Sequence, residues 1–134
     1  TIPPIETLKK YWNGLILIKS NILIVGRLNG TIAGASQISF YPENNEAQKN
    51  ISKIQSHFVA PWARGYGLAK AMIDRALEIS KENNKQSIQL DIRETQLAAI
   101  QLFENKGFSK WGENPSYAFI NGTRIKGYYY FKDL

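Results

Sequence analysis

The chain has no cysteine and a single histidine, His57. The first absence excludes a disulfide scaffold and thiolate metal sites. With one imidazole and no thiol, no metal centre is expected, zinc included. The absence also suits a reducing compartment, and the expected location is cytoplasmic. No apolar run is long enough to span a bilayer, so no membrane partner is expected. The first residues carry neither a charged n-region nor a long apolar h-region. Blocks of one charge are missing as well. Lysines and arginines number 17 against 11 acidic residues, a net charge of +6, but they are spread along the sequence. That surplus favours anionic ligands in general, while the lack of a basic patch argues against nucleic acid.

What is present is the composition of an ordered globular protein: 134 residues, with three Trp, seven Tyr and six Phe. The length suits one domain, 1–134, with a real core. Its most informative stretch is Val59-Ala-Pro-Trp-Ala-Arg64-Gly65-Tyr66-Gly67-Leu68-Ala69. A β-rich run from Ile51 to Val59 precedes it. After it Leu68, Ala69, Met72, Ile73, Ala76 and Leu77 recur at helical spacing, with charged residues on the other face. Strand, glycine-bearing turn and helix make the geometry of an anion site. The first turn of a helix leaves backbone N–H groups unpaired and carries partial positive charge. Two glycines let a phosphate reach those groups, and Arg64 adds a fixed charge. A Walker loop is excluded because Leu68-Ala69 follow Gly67 where Lys-Ser/Thr is required. A Rossmann fingerprint is excluded because Lys70 stands where a third small residue belongs.

In chain order, Thr1 to Ile5 reads as a Pro-rich lead-in and Glu6 to Gly14 as a short helix. Asn21 to Leu28 and Thr31 to Tyr41 are strands joined by Asn29-Gly30, a strong hairpin signal. Gly34 and Ala35 suggest a bulge or a close approach, and Pro42 to Asn50 a loop. The strand 51–60, helix 67–83 and strand 86–93 form a parallel βαβ unit. Thr95 is the expected N-cap of a helix from Gln96 to Lys106, closed by Gly107. A short β segment from Phe108 to Trp111, a polar loop at Glu113-Asn-Pro115 and a second Asn-Gly hairpin at Asn121-Gly122 complete the chain. The predicted class is α/β (mixed α+β): a mixed, mostly antiparallel sheet with one parallel βαβ unit and flanking helices.

About thirty residues beyond Ala69 lies Gln96-Leu-Ala-Ala99-Ile-Gln-Leu102-Phe103-Glu104-Asn-Lys106-Gly107-Phe108. This run, the order of elements and Arg64-Gly-Tyr-Gly67-Leu-Ala69 together resemble the GNAT superfamily of N-acetyltransferases. Arg64, Gly67 and Ala69 match its Arg/Gln-x-x-Gly-x-Gly/Ala signature. The second run matches its Asn-x-x-Ala-x-x-Leu-Tyr-Glu-x-x-Gly-Phe helix, with Gln96 in the Asn place and Phe103 in the Tyr place. The resemblance covers roughly Asn21 onward. The family's usual strand and helix before Glu6 are expected to be absent.

The resemblance implies acetyl-CoA as cosubstrate, its pyrophosphate on the N–H groups of Arg64, Gly65, Tyr66, Gly67, Leu68 and Ala69. It places the pantetheine arm along the strand at Phe58 and Val59, and brings Gln96 and Phe103 to the same cofactor. The implied reaction is direct attack of a primary amine on the thioester, with the Val59 backbone N–H as oxyanion donor. Two departures stand out: Lys53 occupies the place of a common glutamate base, and Phe103 that of a common tyrosine acid. His57 and Tyr117 are therefore the candidate catalytic side chains, each with a packing role as the alternative. Tyr128, Tyr129 and Tyr130 read as sheet packing. Asp91 and Glu94 read as salt-bridge or surface carboxylates that could also meet a cationic substrate. Trp62 and Trp111 read as shields or core. The acceptor amine is left open, small molecule or peptide, as is the oligomeric state, a homodimer included. An alternative is a CoA- or acyl-CoA-binding module with little catalytic activity.

Overall fold

The computed structural model describes residues 21–134. The sequence readings on Thr1 to Gly14, and on elements preceding them, lie outside the described residues. The elements are β1 (Asn21–Leu28), β2 (Thr31–Phe40), β3 (Ile51–Val59), a 3-10 turn (Pro61–Ala63), α1 (Leu68–Glu82), β4 (Ser87–Arg93), α2 (Leu97–Asn105), β5 (Ser109–Ile120) and β6 (Thr123–Asp133). The six strands form one sheet in the order β1-β2-β3-β4-β6-β5. Among the described residues only β3 and β4 run parallel, bracketing α1, and every other neighbouring pair is antiparallel. The mixed sheet is thus as predicted. Both hairpins turn on Asn-Gly pairs with positive φ: Asn29 at 51° and Gly30 at 78°, Asn121 at 50° and Gly122 at 78°. Such values suit the primed turns that match strand twist.

The main core lies between the sheet and the two helices. Ile38 from β2, Ile54 from β3, Ile73 and Ala76 from α1, Ile88 and Leu90 from β4, Phe103 from α2 and Tyr130 from β6 pack there. Each buried Ile, Leu or Phe among them contributes about 1.5–3 kcal/mol. Two polar links run through this layer. Ser52 of β3 and Ser80 of α1 share a buried hydrogen bond of 2.7 Å, and the Tyr130 hydroxyl donates to Glu104 Oε2 at 2.9 Å. Lys106 pairs with Asp74 across the two helices at 2.5 Å.

Three sequence readings need correction. The segments 108–111 and 117–120, with the loop at Glu113–Pro115, are one strand, β5. Its register with β6 shifts between Lys110 and Gly112 and again between Asn114 and Ala118. Pro115 cannot donate to a ladder, and an edge strand tolerates it in a bulge. Asn114 Oδ1 closes that bulge by accepting the Ser116 N–H at 2.9 Å. Secondly, the residue capping α2 is Gln96, not Thr95, and it makes no side-chain cap bond. Thirdly, Trp62 and Trp111 are not core: they are 51% and 62% exposed. Trp111 lies 5.3 Å from the Tyr129 ring instead, on the sheet face away from α1 and α2.

The β5 bulge carries Tyr117 over Gly127 of β6, where a Cβ would stand 2.0 Å from the Tyr117 ring. Gly127→Ala is therefore expected to expel that ring and cost about 1–3 kcal/mol, the usual scale of overpacking. Thermal unfolding checks this, with a built-in control. In a Tyr117→Ala background the same substitution should cost little, because the clashing atoms are gone.

Candidate active site

β3 and β4 pair only from Ile51 to Lys53 and from Ser87 to Gln89. Beyond those residues they diverge, and a cleft of about 1030 Å³ opens between their C-terminal halves. A bulge in β3 sets what faces it. Ser56 takes φ 53°, and the register with β2 shifts between Ala35 and Gln37. One extra residue reverses the alternation of side chains. Ser52 and Ile54 face the helices, and after the bulge so do His57 and Val59, whereas Phe58 packs with Ile32 and Ala35 on the other face. The sequence left the face of His57 open. The structure turns it toward α2, its ring 5.7 Å from Phe103 in an edge contact.

The Val59 backbone can be placed by alternation. Ala60 N–H donates to Ala33 O at 2.7 Å, toward β2. One residue earlier in an extended chain the N–H takes the opposite edge, so that of Val59 faces the cleft. On the β2 side Gly34 makes the close approach possible, since a Cβ there would meet Phe58 O at 2.8 Å.

The floor of the cleft at its wide end is the start of α1. Its N-cap is Gly67 with φ 75°, in the left-handed region that favours glycine. No side chain caps this end and no acidic residue stands in its first turn. The opening N–H groups are therefore left without intrahelical partners, at the positive end of the helix dipole. Gly65, with φ 88°, and Gly67 both border open space where a Cβ would stand. Arg64, Gly65, Gly67, Leu68, Ala69 and Lys70 all line the cleft. Tyr66 stands apart from it, 72% exposed. Gln96 and Phe103 reach the cleft from α2, although Phe103 is buried and shares an edge contact of 5.3 Å with Phe108.

On the sheet face away from the helices a second group gathers. Tyr117 Oη donates to Asp91 Oδ1 at 2.7 Å, and Asp91 Oδ2 pairs with Lys53 Nζ at 3.4 Å. All three line the cleft. Lys53, which replaces the expected glutamate, is thus tied to a carboxylate from the neighbouring strand. Burial pushes the Tyr117 hydroxyl up to about 12, and the hydrogen bond to Asp91 adds to that. His57 moves the other way, down to about 4, because burial disfavours its charged form. Its Nδ1 is buried without a hydrogen-bond partner among the described residues. Sequence reasoning brought His57 and Tyr117 forward as candidates, and both line the cleft, but it missed the network tying Tyr117 to Asp91 and Lys53. Alternation along β4, with Asp91 and Arg93 on one face, was the available signal. Among the described residues no cluster of metal-ligating side chains occurs, and no helix is long and apolar enough to cross a membrane.

A mixed sheet that splays at a parallel pair, above an uncapped glycine-led helix, is a fold found among solved acetyltransferases. A family model, described as acetyltransferase (GNAT) family, matches residues 3–108. The chain belongs to that family of N-acetyltransferases. It is 40% identical over 94 residues to an uncharacterised N-acetyltransferase in the hisH-hisA intergenic region of Azospirillum brasilense, which spans 70% of this chain and 56% of that protein. The chain thus covers little more than half of that relative's length. An N-acetyltransferase structure from Staphylococcus aureus Mu50 superposes with TM-score 0.83 at 17% identity, covering 98% of this chain and 79% of that one. A phosphinothricin acetyltransferase from Sinorhizobium meliloti, solved in complex with AcCoA, gives TM-score 0.80 at 20% identity, covering 98% of this chain and 71% of that one. At such identities the two structures speak to the fold alone.

Proposed function

We propose that the protein transfers the acetyl group of acetyl-CoA to a primary amine by direct attack in a ternary complex. The single observation that carries this reading is the meeting, in one cleft, of the open α1 N-terminus and the splayed β3 edge with the Val59 N–H turned inward. The residues suit the cosubstrate. The amides opening α1 with Arg64 and Lys70 suit a diphosphate, the β3 edge suits the amides of pantetheine, and Gln96 and Phe103 border the same space. Bound acetyl-CoA would supply an acyl group activated as a thioester. The Val59 N–H is then a donor for charge developing on the acyl oxygen.

Proton handling falls to the group on the opposite face. Asp91 can receive the proton of the incoming amine. Tyr117 would give its proton to the departing thiolate while taking one from Asp91, so that no phenolate forms beside a carboxylate. This order matters because the raised Tyr117 hydroxyl is a reluctant acid while Asp91 is ionised. His57 is neutral at physiological pH, and in this reading it shapes the inner wall of the cleft with Phe103.

A second reading is favoured by one observation: Lys53 occupies the place of the usual base and is held by Asp91. In that reading the protein binds CoA or acyl-CoA and turns over little. Thiol release from acetyl-CoA, followed over a panel of primary amines, tests both. Amine-dependent release at well above the rate without amine is expected. Tight CoA binding with no release for any amine would support the binding module instead.

A further inference from the structure

The charges lining the cleft do not balance. Among the described residues four cations, Lys53, Arg64, Lys70 and Arg93, face one carboxylate, Asp91. Arg64 and Lys70 flank the helix start, and Lys53 is spent on Asp91. Arg93 is left over. It ends β4, opposite Gly127 of β6 in the register, and shares the face of Asp91 two residues before it. It lies close enough to Tyr117 for its charge to oppose, in part, the burial that raises that hydroxyl. Among the described residues the ion pairs engage Lys49, Lys53, Arg75, Lys106 and Lys110, not Arg93. Glu94, the next carboxylate along the chain, does not line the cleft.

Arg93 is partly buried, and a cation in that position with no counter-ion among the described residues loses hydration that no described carboxylate returns. An anion arriving at that point restores the balance, and the planar fork of arginine suits a carboxylate in two parallel hydrogen bonds. We propose that the acceptor amine itself carries a carboxylate or a comparable oxyanion, which Arg93 holds beside Tyr117 on the sheet face away from α1 and α2. This rests on the acetyl-transfer reading for what happens to the amine, but not for the binding itself. Repulsion from Asp91 is offset by Lys53 and by the Tyr117 hydroxyl, so Arg93 sets the local sign. The diphosphate of the cosubstrate and the anion of the acceptor then have separate cationic partners at the two sides of the cleft.

The test is calorimetry on the CoA-loaded protein, which binds without turnover. Glycine, β-alanine, γ-aminobutyrate, aspartate and glutamate are compared with their neutral carboxamides. At least one acid is expected to bind about tenfold or more tightly than its amide, because a site built around a charged fork rejects the neutral isostere. Arg93→Gln should erase that preference, and Arg93→Lys should restore part of it. In acetylation assays on the same compounds, Arg93→Gln should raise KM for the acids and leave the amides unchanged. Acids that bind no better than their amides would overturn the proposal, as would a preference that survives Arg93→Gln. Continued acetylation of neutral amines would then leave the enzyme reading intact. Arg93-dependent binding of an acid with no acetyl transfer would do the reverse, sustaining this proposal and removing the catalytic one.

Discussion

Replacing Gly67 with aspartate is expected to abolish acetyl-CoA binding while leaving the fold in place. Two effects act together at this position. Gly67 sits at φ 75° as the residue before α1, and an L side chain adopts that conformation at a cost of about 1–2 kcal/mol. The added carboxylate would also stand where nothing now lies within 4 Å, in the space a diphosphate needs. There it can occupy the helix N–H groups and repel a second anion. A loss on the order of 100-fold in affinity, equivalent to roughly 3 kcal/mol, is the least expected. Gly67→Asn separates the causes, since asparagine tolerates the left-handed region and carries no charge; it should weaken binding less. Calorimetric titration with acetyl-CoA, alongside circular dichroism to verify folding, is the measurement. Affinity retained in a folded Gly67→Asp protein would sink the phosphate assignment.

Acid should destabilise the protein through His57 before most carboxylates titrate. Burial lowers this imidazole from 6.5 to about 4, so between those pH values the unfolded chain takes up a proton that the folded protein refuses. The state with more bound protons gains as pH falls, and folding stability therefore rises with pH across this window. At about 1.4 kcal/mol for each tenfold difference in proton affinity, the loss approaches roughly 3 kcal/mol by pH 4. Above pH 6.5 the imidazole is neutral in both states and contributes no dependence. Urea midpoints of the wild type and His57→Leu, compared from pH 7 down to 4.5, isolate the term, since other groups act on both proteins alike. The variant should lose the extra slope. Parallel curves would mean that His57 is more hydrated than its packing against Phe103 indicates.

Much of this protein could be read before any coordinates. Both Asn-Gly hairpins, the amphipathic helix after Gly67 and the βαβ unit follow from local rules, and the structure repeats them within a residue or two. The pairing of Arg64-Gly-Tyr-Gly67 with the run from Gln96 to Phe108 indicated the family, because each motif sits at a fixed place on a strand–helix junction. What failed was local too. A bulged edge strand containing Pro115 looks like two short strands and a loop when its partner β6 is out of view. Trp62 and Trp111 read as shields or core, and only their exposure in the fold decides against core.

Sequence alone determined most of the described elements, their order and the glycine-led helix start proposed to hold an anion, because helix ends, glycine turns and hydrophobic period are set by neighbours along the chain. The tertiary structure decided the chemistry around that site. One residue of bulge at Ser56 chose the face of His57, a property of the β2–β3 register and not of any side chain. Tyr117, Asp91 and Lys53 come from three strands and meet only when the sheet assembles. Whether Arg93 keeps a partner depends on which carboxylates that assembly leaves within reach.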